Sequence, residues 1–66
     1  MKIGDLVQLR EGYFIPQAKS VVESGEPILL LGLKQIFGHK YLDLLTFSGH
    51  RFELRAFKAE LFNESG

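Results

Sequence analysis

Residues 28–52 read ILLLGLKQIFGHKYLDLLTFSGHRF and form the most apolar part of this 66-residue chain. Two apolar runs are separated by a polar break, and a Ser48-Gly49 turn precedes a third short run. Short apolar runs bounded by turn residues are typical of β-strands. The stretch therefore predicts a meander of three antiparallel strands, and we expect the rest of the chain to wrap around it.

The strands of this meander can be placed from their alternation and from the turn residues between them. We predict strands over residues 27–37, 40–47 and 50–54, joined by turns at Gly38-His39 and Ser48-Gly49. Gly32 predicts a bend in the first of them. The inward-facing residues expected on the other two are Leu42, Leu44, Phe52 and Leu54.

The segment before the meander contains one regular element. Val7 and Leu9 alternate with polar neighbours, so residues 2–10 are predicted to form a half-buried strand with both side chains in the core. Residues 11–26 are predicted to form a long loop, in which residues 17–23 could make one or two helical turns. The side chains expected to anchor this loop are Tyr13, Phe14 and either Val21 or Val22.

The C-terminal segment fits two structures. Leu54, Phe57 and Leu61 have the i, i+3, i+7 spacing of a helix, which would cover residues 53–62. Alternatively, residues 55–58 form a single 3₁₀ turn and residues 60–63 a short closing strand. Residues 63–66 are expected to fray.

The order of these elements and two segments of sequence are similar to a group of phage proteins. The segments GDLVQLREGYF (residues 4–14) and RFELRAFKAELF (residues 51–62) resemble small SH3-like proteins of unknown function encoded by bacteriophages, particularly marine ones. The resemblance implies a single all-β domain over residues 1–66. It would be a small five-stranded SH3-like barrel with a long first loop and a short 3₁₀ turn before the last strand. This layout favours the turn and strand over the C-terminal helix.

Two better-known groups with this kind of fold match less well. KOW domains carry a glycine-rich signature after the first strand, which residues 13–20 lack. Signalling SH3 domains bind proline-rich peptides with a tryptophan at the start of a middle strand, and this chain has no tryptophan. Binding of PxxP peptides by that mode is therefore not expected.

Composition limits the classes of function. The formal net charge is +0, which counts against a dedicated nucleic-acid binder and removes long-range repulsion between copies. With 0 cysteines, disulfides and thiolate metal sites are impossible. No apolar segment follows Met1-Lys2 as in a signal peptide, and no run could span a membrane. We expect a cytoplasmic protein, in the host cytoplasm or the virion if phage-encoded.

The residues that could carry chemistry are few. His39 and His50 both lie beside glycines at predicted turns, where solvated histidines are common, and a metal would need further ligands such as Asp43 or Glu53. Ser48 and His50 could form a nucleophile and base, but no carboxylate is placed to orient the imidazole. No phosphate-binding glycine loop is present. We therefore expect no catalytic residue, no cofactor and no metal, in a protein that is not an enzyme.

Docking to another protein, or self-association, is the function that the sequence favours. The predicted strand over residues 27–37 is apolar on both faces, and so small a barrel has few layers to cover it. The candidate interface consists of Ile28, Leu30, Leu45 and Phe47. The alternative is that the first loop covers this strand with Tyr13, Phe14 and Ile15.

A weak nucleic-acid-binding accessory role is the alternative function. Cations near the predicted turns could meet phosphates, and neighbouring aromatic rings could stack on bases. The residues of this candidate surface are Lys34, Phe37, His39, Lys40, Tyr41 and Arg51. The neutral net charge counts against this role, so we expect a protein-interaction module, such as a phage accessory or structural protein.

Overall fold

A computed structural model, which describes residues 1–62, contains only β-strands and one 3₁₀ turn in that part of the chain. The strands are β1 (Leu6–Leu9), β2 (Tyr13–Ile15), β3 (Ser20–Val22), β4 (Ile28–Ile36), β5 (His39–Thr46), β6 (Arg51–Arg55) and β7 (Ala59–Leu61). The 3₁₀ turn, Ala56–Lys58, separates β6 from β7. The predicted all-β class is therefore confirmed. Within these residues no helix has the length and apolarity needed to cross a bilayer.

Five of the strands form one antiparallel sheet in the order β6-β5-β4-β1-β7, and β2 and β3 form a separate hairpin. The predicted meander is confirmed as the β4-β5-β6 part of the larger sheet. The β4–β5 ladder shifts register between Leu30 and Gly32, which is the bend that Gly32 predicted. Such a bulge bends its strand and increases the local twist.

Both turns of the meander differ by one residue from their predicted positions. The first is Phe37-Gly38 rather than Gly38-His39, with positive φ at both residues (50° and 81°). This is the two-residue type I′ pattern, whose twist matches that of the flanking strands. The second turn spans three residues, 47–49, closed by the Gly49 N–H donating to the Thr46 carbonyl at 3.0 Å. The positive φ predicted for Gly49 is confirmed at 97°.

The predicted long loop is largely a β-hairpin, so the helical turns considered for residues 17–23 are wrong. β2 and β3 pair with Phe14 opposite Val21, and both of these side chains are exposed. Their neighbours Ile15 and Val22 point the other way and are buried. Tyr13 packs against the core, as predicted, but the anchoring role predicted for Phe14 is wrong because alternation turns its ring outward.

The core is a single cluster to which both the large sheet and the hairpin contribute. Its buried members are Val7, Leu9, Ile15, Val22, Ile28, Leu30, Leu42, Leu44, Phe52, Leu54 and Ala59. The inward-facing residues predicted on β1, β5 and β6 are all among them.

Ile28 and Leu30 were placed in the candidate interface, with cover by the first loop as the alternative, and both are 0% exposed. The hairpin supplies Ile15 and Val22 to the same cluster, so the sheet is covered from within the chain. These two residues cannot contact a partner in the folded state. Their inclusion in the candidate interface is therefore corrected.

The C-terminal segment adopts the predicted turn and strand, and the alternative helix over residues 53–62 is wrong. β7 pairs with β1, with Leu9 opposite Ala59 and Val7 opposite Leu61. The Arg10 N–H also donates to the Lys58 carbonyl at 3.2 Å. The predicted last residue of this strand, Asn63, and the predicted fraying of residues 63–66 lie outside the described residues.

The facing of β5 can be tested with two adjacent leucines. Leu44→Ala should lower the free energy of unfolding by about 2–5 kcal/mol, because Leu44 is fully buried in the core. Leu45→Ala, on the opposite and half-buried face, should cost about 1 kcal/mol or less. Urea denaturation of both variants measures the difference. Equal losses, or a larger loss for Leu45→Ala, would mean that the wrong face of β5 has been placed inward.

Candidate interaction surface

The end of the β4–β5 hairpin projects beyond the core. Every residue from 33 to 40 is exposed, and we call this segment the arm. The arm extends past its neighbours because β1 pairs with β4 only at Ile28 and Leu29, and β6 reaches no further than Arg55 opposite Tyr41. Among residues 1–62, its two strands therefore have only each other as sheet partners.

Phe37 occupies the tip of the arm in an unusual state. Its side chain is 97% exposed, and its φ of 50° lies in the left-handed region. Type I′ turns favour asparagine or glycine at this position, and a bulky aromatic residue there is an outlier. An exposed apolar ring held in a costly backbone conformation is the kind of outlier that points to a function.

A cleft of about 610 Å³ runs along one side of the arm. Its apolar lining comes from Met1, Leu33, Leu42 and Ala56. The remaining lining residues are Lys34, Gln35, Lys40 and Tyr41. The arm thus carries both a protruding apolar ring and, beside it, an apolar recess.

The structure brings together most of the residues predicted to bind nucleic acid. Lys34, Phe37, His39 and Lys40 lie on the arm, and Tyr41 follows directly. Arg51 does not join them. It lies opposite Leu45 at the other end of β5, roughly 13 Å along the strand from Tyr41.

Two of these predicted cations are paired with carboxylates on the outer face of the sheet. Lys34 Nζ lies 2.5 Å from Glu53 Oε2. Arg51 donates from Nε and Nη2 to the two carboxylate oxygens of Asp43, at 3.0 and 2.5 Å. These hydrogen bonds, with the charges of Arg51 and Lys34, hold the pKa of Asp43 below its usual value against an opposing effect of burial. The positive charges of Lys34 and Arg51 are therefore largely compensated by carboxylates within the sheet.

Arg55 is a site residue that sequence reasoning missed. Its guanidinium lies over the rings of Tyr41 and Phe57, at 5.6 and 5.5 Å from their centroids. Nη2 also donates to His39 Nδ1 at 2.8 Å. The pairing of Arg55 with Tyr41 depends on the strand register, and a two-residue turn at Ser48-Gly49 would have shifted that register.

The rest of the candidate interface lies at the opposite end of β5 from the arm. Leu45 is half-buried, opposite Leu29, and Phe47 is 71% exposed on the β5–β6 turn. These two residues stay candidates for a contact, unlike Ile28 and Leu30.

The residues considered for catalysis have other partners. Ser48 Oγ shares a hydrogen bond of 2.9 Å with Thr46 Oγ1, which also accepts from the His50 N–H. These bonds satisfy the buried Thr46 and order the turn. Among residues 1–62, no group of three histidine, aspartate or glutamate side chains is placed to hold a metal ion.

Comparison of the chain with protein-family models, with curated proteins and with solved structures finds no match. Function is therefore inferred from the fold and from the surfaces described above.

The Asp43–Arg51 pair makes a prediction about pH. Because the folded state lowers the pKa of Asp43, the pair stabilises the protein above the ordinary aspartate value of 3.8 and loses this effect as the pH falls through the folded pKa. Asp43→Asn should therefore flatten the acid side of the stability curve below pH 3.8 while lowering stability at neutral pH. Thermal unfolding at a series of pH values measures both. An unchanged acid slope would contradict the role of this pair.

Proposed function

We propose that the chain is a small SH3-like barrel. The strand order β6-β5-β4-β1-β7, with a hairpin between β1 and β4 and a 3₁₀ turn before the closing strand, supports this fold. The bulge in β4 supports it further, because a bent strand can pair with β1 through its first residues and with β5 along its length. The proposal of a phage accessory or structural protein depends on the sequence resemblance alone.

We further propose that the protein is a non-enzymatic interaction module that associates with a second copy of itself through the arm. The observation that carries this proposal is Phe37, an aromatic side chain 97% exposed at the tip of a projecting hairpin. Leu33 and Ile36, on opposite faces of the same arm, are also exposed. Apolar groups concentrated on a projecting element are typical of a protein–protein contact.

A second copy fits as the partner because one chain carries both halves of a contact. The ring of Phe37 protrudes, and the cleft beside it offers the accessible apolar side chains of Leu33 and Ala56. In a two-fold dimer the same patch serves on both subunits, so each ring would enter the cleft of the other copy. The net charge of +0 imposes no long-range repulsion on this arrangement.

The expected association is weak. Burying one phenylalanine side chain contributes about 1.5–3 kcal/mol, and a two-fold dimer would bury two. Part of this is offset by the entropy lost on association. We therefore expect a dissociation constant near about 1 mM.

Nucleic-acid binding has less support as a function. Of the predicted cations, Lys34 and Arg51 already pair with Glu53 and Asp43. The ring of Tyr41, predicted to stack on bases, is covered by Arg55. The ion pairs leave fewer cations to bind phosphates, and the contact with Arg55 leaves less of the Tyr41 ring to stack on a base.

Replacing Phe37 separates stability from association. Phe37→Asn should raise the free energy of unfolding by about 1 kcal/mol, because asparagine tolerates the left-handed conformation and favours a type I′ turn. The same change should abolish dimer formation by removing the protruding ring. Chemical denaturation measures the first effect, and sedimentation equilibrium at protein concentrations up to about 1 mM measures the second.

Phe47→Asn is the matched control, since it removes another exposed phenylalanine, 71% exposed, from the other turn of β5. This variant should dimerise as the unchanged protein does. If Phe47→Asn loses the dimer and Phe37→Asn keeps it, the contact lies at Leu45 and Phe47 instead of the arm. A protein that is strictly monomeric over the whole concentration range would exclude self-association.

A further inference from the structure

A second surface is centred on the 3₁₀ turn and reaches the arm at Gly38. Phe57 stands 66% exposed on this turn, with a groove on each side. One groove, of about 230 Å³, runs toward Tyr13 at the start of β2. The other, of about 420 Å³, runs toward His39 on β5. We call the two grooves and the ring between them the Phe57 surface.

The charge of this surface is unlike that of the whole chain. The groove toward Tyr13 is lined by Arg10 and Lys58, with Glu11 as its carboxylate. The groove toward His39 is lined by Lys40 and Arg55 and by no carboxylate among the described residues. Arg10 also lies 3.5 Å from Glu60, which is outside the lining. Cations therefore outnumber anions here, although the chain as a whole is neutral.

Arg55 is held in position before any ligand arrives. The rings of Tyr41 and Phe57 flank its guanidinium, and the bond to His39 uses Nη2. Within residues 1–62, no side chain accepts a hydrogen bond from Nε or Nη1, and the second N–H of Nη2 shares an edge of the guanidinium with one of these two nitrogens. A guanidinium fixed in this way loses little entropy when it binds a carboxylate through two parallel hydrogen bonds.

We propose that the Phe57 surface binds an extended acidic segment of a partner protein, with a carboxylate on Arg55 and apolar side chains against Phe57. Charge complementarity selects the aspartate- or glutamate-rich partner. The apolar ring between two basic grooves selects a segment in which acidic and apolar residues are mixed. This inference goes beyond self-association, because the partner is different and the contact centres on Arg55 and Phe57, which lie outside the arm, although Lys40 and Ala56 line both surfaces.

A peptide fits this surface better than single-stranded nucleic acid does. Base stacking needs exposed ring faces. The ring of Tyr13 stacks on that of Phe52 at 5.4 Å, and Arg55 covers one face each of Tyr41 and Phe57. Of these rings only that of Phe57 is largely exposed, which suits one apolar side chain of a peptide better than a run of stacked bases.

Fluorescence anisotropy with three labelled probes tests the proposal. The probes are a decapeptide of aspartate, leucine and glycine, the same peptide with asparagine for every aspartate, and a ten-nucleotide oligothymidylate. Measurements are made at low protein concentration, where the chain is monomeric, and at about 20 mM salt, where charge pairs are screened least. We expect the acidic peptide to bind, the asparagine peptide to bind at least about tenfold more weakly, and binding to weaken as salt is added.

Variants locate the binding. Arg55→Gln should raise the dissociation constant of the acidic peptide at least about fivefold. Arg55→Lys should raise the same dissociation constant at least about threefold, because lysine keeps the positive charge but lacks the planar guanidinium that binds a carboxylate through two hydrogen bonds. The matched control is Arg51→Gln, because Arg51 lies on the same strand and its guanidinium is already bound to Asp43. This variant should change the affinity for the acidic peptide by less than about twofold. Thermal unfolding of each variant verifies that it is folded.

Several results would overturn the proposal. These are no binding of the acidic peptide at low salt, equal binding of the asparagine peptide, or equal losses in Arg55→Gln and Arg51→Gln. Binding of the oligothymidylate alone would assign the surface to nucleic acid instead. Phe37→Asn should lose self-association yet bind the acidic peptide normally, so the failure of one proposal is distinguishable from the failure of the other.

Discussion

The antiparallel pairing of β4 with β5 is the interaction on which the rest of the structure depends. β4 lies at the centre of the sheet, and its ladder with β5 runs from Ile28 opposite Thr46 to Ile36 opposite His39. The bulge after Leu30 divides this ladder into two parts. Before it, Ile28 and Leu30 are buried in the core together with side chains from the β2–β3 hairpin. Beyond it, from Leu33 onward, the two strands leave the core and form the exposed arm. The same ladder thus holds the domain together and presents the surface that we propose to be functional.

At Phe37, the residue that favours the stability of the domain differs from the residue that the proposed function needs. So small a domain buries little surface, and a cost of about 1–2 kcal/mol at a single left-handed residue is a substantial part of its net stability. Phe37 carries that cost and exposes a large apolar ring as well. Neither property helps the isolated chain, and both are accounted for if the ring is covered in a complex. On the outer face of the sheet the opposite holds: Lys34 and Arg51 pair with neighbouring carboxylates, as expected of a solvated surface.

Alternation in the sequence was sufficient to predict which side chains of β1, β5 and β6 face the core. Val7, Leu9, Leu42 and Leu44 face inward as expected, and the 3₁₀ turn followed by a strand was preferred correctly at the C terminus. Turn positions were less predictable, because Gly38 can take either central position of a two-residue turn and Gly49 can close a loop of two or three residues. The β2–β3 hairpin escaped prediction because strands of three residues are too short to show a period. The burial of Ile28 and Leu30, and the contacts of Arg55 with the rings of Tyr41 and Phe57, depend on the packing of the folded chain, which no local pattern contains.

The most direct test of the account is to map, residue by residue, which part of the protein changes on self-association. Two-dimensional ¹⁵N–¹H NMR spectra across a dilution series report this for every backbone amide. The account predicts concentration-dependent shifts in the arm, from Leu33 to Lys40, and in the cleft beside it at Leu42 and Ala56, with little change at the β5–β6 turn. Shifts centred on Leu45 and Phe47, or spectra that do not change with concentration, would contradict it.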